Sequence, residues 1–216
     1  YSELAAVCAR HGGRKCVFQY SESGRETVTF RKLFDEIVVF QNFILGQGMD
    51  PGARIAILSE NRYEWLVAYF AIVSSGFAAV PLDPNLPAAE WVEFLNHSES
   101  KFLFASASIL ERPPGLSLQA PGLLCAVAWG KPELSTSWIY SYADVLREEA
   151  ERGGSSPTEL PIPVEPASLV YTSGTTGRPK GVMLGHAGLL NNAQEISLGA
   201  GRPGEVLATI LPLHHL

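Results

Sequence analysis

The chain has 216 residues, of which 46% are hydrophobic and 18% are charged, a composition that excludes an intrinsically disordered protein. This length fits one large domain or two small ones. The formal net charge of −6 at pH 7 gives no electrostatic reason to bind nucleic acid, so an anionic ligand would have to be held by local donors.

The cysteines and the apolar segments bear on the cellular compartment. Cys8, Cys16 and Cys125 are odd in number and lack C-x-x-C spacing, so we interpret them as reduced, partly buried side chains. The longest apolar stretch, 65–73, is too short to span a bilayer, and the first residues show no signal-peptide pattern. These features predict a cytoplasmic protein, although a longer protein that contains the chain could associate with a membrane surface.

The first part of the chain predicts alternating helices and strands. In order, the pattern predicts a helix over 2–10 and strands over 15–20 and 27–30. The next predicted element is a helix that ends at Gly46 or Gly48 and has four residues on one side: Phe34, Val38, Gln41 and Leu45. A strand over 54–58 follows. Asn61 followed by Glu64 resembles a capping box that opens a helix through Ser74. That helix is apolar on nearly every face, so we expect it to be buried.

The alternation continues towards the middle of the chain. The predicted elements are a strand over 78–82, a helix over 87–96 with Trp91, Phe94 and Leu95 on one face, strands over 101–105 and 123–129, and a charged helix over 140–151 that faces solvent. Successive strand–helix–strand units predict parallel strands joined by right-handed crossovers. The fold class is therefore α/β with a largely parallel sheet. Residues 153–166, rich in Gly, Ser and Pro, would in isolation indicate a linker.

Residues 171–181, YTSGTTGRPKG, carry the functional signal. Glycines let the backbone approach a ligand, consecutive N–H groups form an anion nest, and hydroxyl groups and Lys180 add donors. A triphosphate or pyrophosphate is the ligand that this set favours. The segment is not a Walker A loop, because Gly174 and Gly177 are too close and Gly181 follows the lysine. The alternative, a Ser/Thr/Gly-rich surface turn, explains the order of these residues less well.

Beyond this loop the sequence predicts a strand, a helix and a last strand. They cover 181–184, 186–196 with Leu189, Ala193 and Ile196 facing inward, and 206–211. Phosphate loops in α/β proteins lie at the carboxyl ends of strands, where the sheet opens.

Several segments resemble the acyl-adenylate-forming enzymes, which include acyl-CoA synthetases, adenylation domains of peptide synthetases and luciferases. Residues 169–184 are similar to the phosphate-binding signature of that superfamily. Residues 50–58, 61–65 and 76–84 resemble its N-terminal region, and Leu211–Pro212–Leu213–His214–His215 resembles its next motif, usually P-L-x-H. The last run looks most like a long-chain fatty acyl-CoA synthetase.

The resemblance implies a domain assignment. Residues 1–216 would form the N-terminal part of the large ATP-binding domain, with 153–166 an internal loop that leads to the strand before the phosphate loop. The family's adenine-contacting motifs and its C-terminal domain are absent from these residues. We therefore expect the 216 residues alone to be inactive.

The resemblance also implies an activity and a set of site residues. The full-length protein would be an ATP-dependent acid–thiol ligase that uses ATP, Mg²⁺ and coenzyme A, activates a fatty acid as acyl-AMP and transfers it to the thiol. The predicted phosphate-binding residues are Thr172, Ser173, Gly174, Thr175, Thr176, Gly177 and Lys180. Of these, Lys180, Thr175 and Thr176 are also predicted to be catalytic, and His215 to contact the acyl substrate.

Two positions depart from the family pattern, and some alternatives stay open. Gly185 stands where the family commonly has threonine, and Ala187–Gly188 replaces a polar pair, which puts the capping of the following helix in doubt. The acceptor could instead be the thiol of a carrier protein, or the chain could be a non-catalytic nucleotide-binding module. A zinc site at His186, His214 and His215 lacks suitable spacing. The oligomeric state and the acyl chain length are not predicted.

Overall fold

Helices and strands alternate along most of the chain. The structure is a computed structural model that describes residues 2–21, 24–112, 116–130, 137–152, 162–172, 180–200 and 213. The strands are β1 Lys15–Ser21, β2 Gly24–Thr29, β3 Arg54–Leu58, β4 Ala78–Leu82, β5 Phe102–Ser106, β6 Cys125–Trp129, β7 Ile139–Ser141, β8 Ser168–Thr172 and β9 Lys180–Leu184. The helices are α1 Ser2–His11, α2 Phe30–Leu45, α3 Tyr63–Ser74, α4 Ala88–His97, α5 Ala107–Leu110, α6 Leu116–Gln119, α7 Tyr142–Glu151 and α8 His186–Ala200.

Strands β3 to β9 form one sheet in the order β7-β6-β5-β3-β4-β8-β9, within the described residues. Neighbouring strands from β7 to β8 are parallel, and β9 is antiparallel to β8. The chain steps from β3 to β4 in one direction and then crosses to β5 on the other side of β3. This confirms the predicted α/β class with a mainly parallel sheet. The predicted strands over 15–20 and 27–30 correspond to β1 and β2, which form a separate antiparallel hairpin.

Helices cover both faces of the sheet because the interior strands are apolar on both sides. On one face, Ile55 and Ile57 belong to a core with residues of α2, α3 and α7. On the other face, Ala56 and Leu58 pack in a second core that includes Trp91 and other residues of α4. The predicted burial of Trp91, Phe94 and Leu95 is confirmed.

Helix α3 begins differently from the prediction. Its N-cap is Arg62, in an extended conformation and without a side-chain capping hydrogen bond, so the capping box at Asn61 and Glu64 is wrong. The Glu64 carboxylate pairs instead with the Arg62 guanidinium, at 2.7 Å from Nη2. The side chain of Asn61 accepts a hydrogen bond from the Leu213 amide at 2.8 Å. The prediction failed because ion pairing with Arg62 competes for the glutamate.

Three other helices differ in part from the predicted burial. Of the predicted inward face of α2, Val38 and Gln41 are buried, but Phe34 and Leu45 are only half-buried. The rest of the buried stripe is formed by other apolar residues: Leu33, Ile37, Phe40 and Ile44. Helix α7 does not simply face solvent, since Tyr142, Val145 and Glu149 are buried against the rest of the fold. In α8, Leu189 is half-buried but Ala193 is exposed, contrary to the prediction.

Strand β8 is in register with β4 only at its first residue. Their single register pair joins Ala79 and Ser168, and the Ala79 amide donates to Ala167 O at 2.9 Å. Backbone groups alternate in direction along a strand, so Pro81 turns its nitrogen to the same side as Ala79. Proline has no N–H to donate there. The ladder of register pairs therefore ends at this point, while the rest of β8 continues beside β4.

Several predictions fall on residues outside the described ranges: the phosphate loop over 173–179, the linker-like segment over 153–161, the strand over 206–211, and the histidine pair. Among the helices of the described residues, none is both long and apolar enough to cross a bilayer.

Candidate functional site

The predicted phosphate loop joins the two antiparallel strands β8 and β9. Thr172, the last residue of β8, pairs directly with Lys180, the first residue of β9. Residues opposite each other in an antiparallel pair share a face, with Cβ atoms about 4.5–5.5 Å apart. Thr172 and Lys180 are both exposed, and Lys180 makes no ion pair with any residue in the described part of the chain. A hydroxyl group and an ammonium group thus stand together where the loop begins and ends.

Most of the predicted phosphate-binding residues lie between these two positions. Ser173, Gly174, Thr175, Thr176 and Gly177 are outside the described residues, as is His215. The structure therefore brings together the two described members of the predicted set, Thr172 and Lys180. The roles of the whole set stay a prediction.

The opposite face of the β8–β9 hairpin packs on helix α4. The Tyr171 ring stacks on Phe94 with centroids 4.5 Å apart and an interplanar angle of 12°. Its hydroxyl group shares a hydrogen bond of 2.7 Å with His97 Nδ1. Burial raises the pKa of Tyr171, against the hydrogen bond with Ser98 and the charge of Arg54. Sequence analysis identified Phe94 as a core residue but gave no sign of the His97 contact.

Gly181 allows the two strands to lie close behind the loop. A Cβ atom at this position would lie 2.9 Å from Leu169 Cδ1 and 3.7 Å from Tyr171 Cε1. Because the first distance is shorter than real Cβ contacts, a larger residue would push the Leu169 side chain away. Gly181 therefore leaves room for the Leu169 side chain between the two strands.

The N-terminus of α8, directly after β9, is capped from a distant part of the chain. Glu165 Oε1 and Oε2 accept the His186 amide at 3.0 and 3.3 Å. A Cβ atom at Gly185 would lie 2.8 Å from Glu165 Oε2. The glycine at position 185 put the capping of this helix in doubt, but nothing in the sequence indicated that Glu165, 21 residues before His186, supplies the cap.

A second polar cluster lies at the carboxyl ends of β3 and β5. Ser106 Oγ donates to Glu60 Oε2 at 2.6 Å, and Ser59 Oγ lies 3.0 Å from Ser106 Oγ. Burial acts to raise the pKa of Glu60, but the Ser106 hydrogen bond, further hydrogen bonds and the charge of Arg62 outweigh it, so the pKa is lowered. The cluster stays ionised and internally hydrogen-bonded. Neighbouring Asn61 binds the backbone of Leu213, which precedes His214 and His215 in the sequence.

Comparison with known proteins agrees with this fold. The family model of the AMP-binding enzymes matches residues 4–216, and the chain belongs to that family. It is similar to fatty acyl-CoA synthetase B of Dictyostelium discoideum, 24% identical over 88% of this chain and 30% of that protein. A long-chain fatty acid–CoA ligase of Mycobacterium bovis is 33% identical over 80% of this chain and 29% of the relative.

Solved structures show the same fold. The structure of a long-chain fatty acid–CoA ligase from Archaeoglobus fulgidus matches 99% of this chain and 42% of its own, with a TM-score of 0.76 and 21% identity. The chain spans about 30% of the length of the two fatty acyl-CoA relatives above. The shared class is thus an adenylate-forming ligase domain.

Proposed function

We propose that this chain provides the phosphate-binding part of an ATP-dependent acid–thiol ligase. The observation that supports the proposal most directly is the pairing of Thr172 with Lys180 at the two ends of a Ser/Thr/Gly-rich segment, in a chain of the AMP-binding family. The hydroxyl and ammonium groups are exposed on one face, which suits a polyanionic substrate such as ATP.

The proposed reaction has two steps. A carboxylate attacks the α-phosphate of ATP, which forms an acyl-adenylate and releases pyrophosphate. A thiol then attacks the acyl carbon, and AMP leaves. Negative charge grows on the departing pyrophosphate, so fixed donors directed at it lower the barrier.

The residues of the loop would share this task. Lys180 would neutralise part of the charge on the β- and γ-phosphates, and the hydroxyl groups of Thr172, Ser173, Thr175 and Thr176 would donate to their oxygens. The backbone N–H groups of Gly174 and Gly177 would complete the set. A bound Mg²⁺ ion would add positive charge to the same phosphates.

A fatty acid as the acid, and coenzyme A as the thiol, form the finer part of the proposal. It is supported by relatives whose names specify fatty acyl-CoA synthesis and by the Leu-Pro-Leu-His-His run, in which His215 would lie on the acyl side. Asn61 contributes to this interpretation, because it accepts a hydrogen bond from the Leu213 amide within that run.

The test is exchange of labelled pyrophosphate into ATP, measured on the complete protein as its gene encodes it, with a fatty acid present. Lys180→Ala should lower the rate by about 10²–10³, the usual loss for a donor that stabilises the transition state. Lys15→Ala is the matched control, since Lys15 is also exposed but lies in the separate β1–β2 hairpin. Unchanged exchange in Lys180→Ala would show that the loop does not bind phosphate. We further propose that the 216 residues alone give only background exchange.

A further inference from the structure

Side-chain contacts add to the backbone pairing that holds the β8–β9 hairpin. The β4–β8 ladder ends beside Pro81, so only the first residue of β8 is in register with β4. At that inner end the Tyr69 and Ser168 hydroxyl groups share a hydrogen bond of 2.9 Å. Three residues further on, at Tyr171, side chains make a second attachment.

That attachment is the contact between Tyr171 and helix α4. The ring is stacked on Phe94, which fixes its plane, and the hydroxyl group is bound to His97 Nδ1 at 2.7 Å, which fixes its far end. Helix α4 is itself anchored in the core through Trp91 and Leu95, so it is a rigid reference for the hairpin.

Tyr171 touches both sides of the loop. It precedes Thr172 at the loop entry, and across the ladder it pairs with Gly181, whose backbone lies beneath the tyrosine ring at the loop exit. Thr172 and Lys180 lie on the other face of the same two strands, because side chains alternate along a strand. The contact with α4 therefore lies on the face of the hairpin opposite to Thr172 and Lys180.

We propose that His97 is a positioning residue for the phosphate loop, which holds Thr172 and Lys180 in place through its hydrogen bond to Tyr171. This proposal rests on the proposed function of the loop. His97 does not touch the substrate. Its contribution is to reduce the number of orientations that the hairpin can adopt before a ligand binds, and such preorganisation improves affinity.

The experiment measures binding of magnesium pyrophosphate to the complete protein by isothermal titration calorimetry. His97→Ala should weaken binding by about three- to tenfold, which corresponds to the loss of one hydrogen bond. Tyr171→Phe should weaken it at least as much, because the hydroxyl group also bonds to Ser98. The double variant should bind no more weakly than Tyr171→Phe, because that change already removes the group that His97 binds. His97→Asn keeps a polar atom near the position of Nδ1 and should restore binding to within about twofold of the original protein.

Controls separate positioning from general damage and from failure of the proposed function. Glu93→Ala changes an exposed residue of the same helix and should bind normally. Weaker binding in His97→Asn together with a lowered melting temperature would overturn the proposal, since it would indicate loss of structure. Normal binding in His97→Ala, alongside lost binding in Lys180→Ala, would overturn the role of His97 alone. Normal binding in Lys180→Ala would contradict the function of the loop itself, and with it this inference.

Discussion

The Glu165 carboxylate caps helix α8 from outside the helix, with both oxygens within 3.3 Å of the His186 amide. A negative charge at a helix N-terminus also interacts favourably with the helix dipole. The space that a side chain at position 185 would occupy is taken by this carboxylate, so Gly185 and Glu165 form one capping unit. A family member with threonine at position 185 would have its capping side chain next to the helix in sequence. In this chain Glu165 supplies the cap instead.

This pairing predicts how substitutions at the two positions combine. Glu165→Ala should destabilise the protein by about 0.5–2 kcal/mol, the usual cost of a lost N-cap. Gly185→Ala should cost a similar amount, because the added Cβ displaces the carboxylate and supplies no acceptor. Gly185→Thr should be nearly neutral, since its hydroxyl group can accept an N–H of the first turn.

Urea denaturation of the single and double variants checks the prediction. In the Gly185→Thr background, Glu165→Ala should have almost no effect. An equal cost of Glu165→Ala in both backgrounds would show that the two caps are independent.

A buried hydrogen bond between α2 and α3 gives a second prediction. Gln41 is fully buried, and its Nε2 donates to Ser74 Oγ at 2.7 Å. Ser74→Ala leaves this donor unpaired, so we expect a loss of about 1–3 kcal/mol. Adding Gln41→Leu should recover most of the loss, because both polar partners are then gone. A double variant less stable than Ser74→Ala, measured by urea denaturation, would show that packing dominates at this site.

The reactivity of the cysteines can be tested directly. Cys8, Cys16 and Cys125 are free thiols, as predicted. Burial raises the pKa of Cys125 to about 12, so very little thiolate is present at pH 8. Cys16 is only half-buried. Mass spectrometry after brief alkylation at pH 8 should find Cys16 modified well before Cys125, with the difference removed in urea. Faster modification of Cys125 in the native protein would contradict its burial.

The buried carboxylate of Glu36 predicts a pH dependence of stability. Burial raises the pKa of Glu36 by more than the Tyr142 hydrogen bond and the Lys32 charge lower it. The folded state therefore holds the proton more tightly than the unfolded state. The contribution of Glu36 to stability is greatest below its unfolded pKa and falls as the pH rises through the higher folded pKa.

Glu36→Gln should accordingly be more stable than the original protein at pH 7, with the gain disappearing towards pH 4. The amide oxygen can still accept the Tyr142 hydroxyl, which lies 2.6 Å from the carboxylate. Glu93→Gln, at an exposed position, is the control and should show no such change. A Glu36→Gln variant that is less stable at pH 7 would mean that the ion pair with Lys32 outweighs the cost of burial.

The sequence predicted the parallel core well because each interior strand is short, apolar and bounded by turns, as in residues 54–58 and 78–82. It did not predict β7, whose three residues are too few for a periodic signal. It also missed the contacts that shape the candidate site. Glu165 with His186, and His97 with Tyr171, join residues 21 and 74 positions apart. Such pairs depend on how elements dock, and a local pattern carries no information about that.

Pro81 has a consequence for how this fold can be altered. Because it ends the β4–β8 ladder, the outer part of β8 has no register pairs with β4. Substitutions at the side-chain anchors of the hairpin should therefore shift its direction with less effect on the core than substitutions in the interior strands. The direction of the loop between Thr172 and Lys180 can accordingly change with little redesign of the interior.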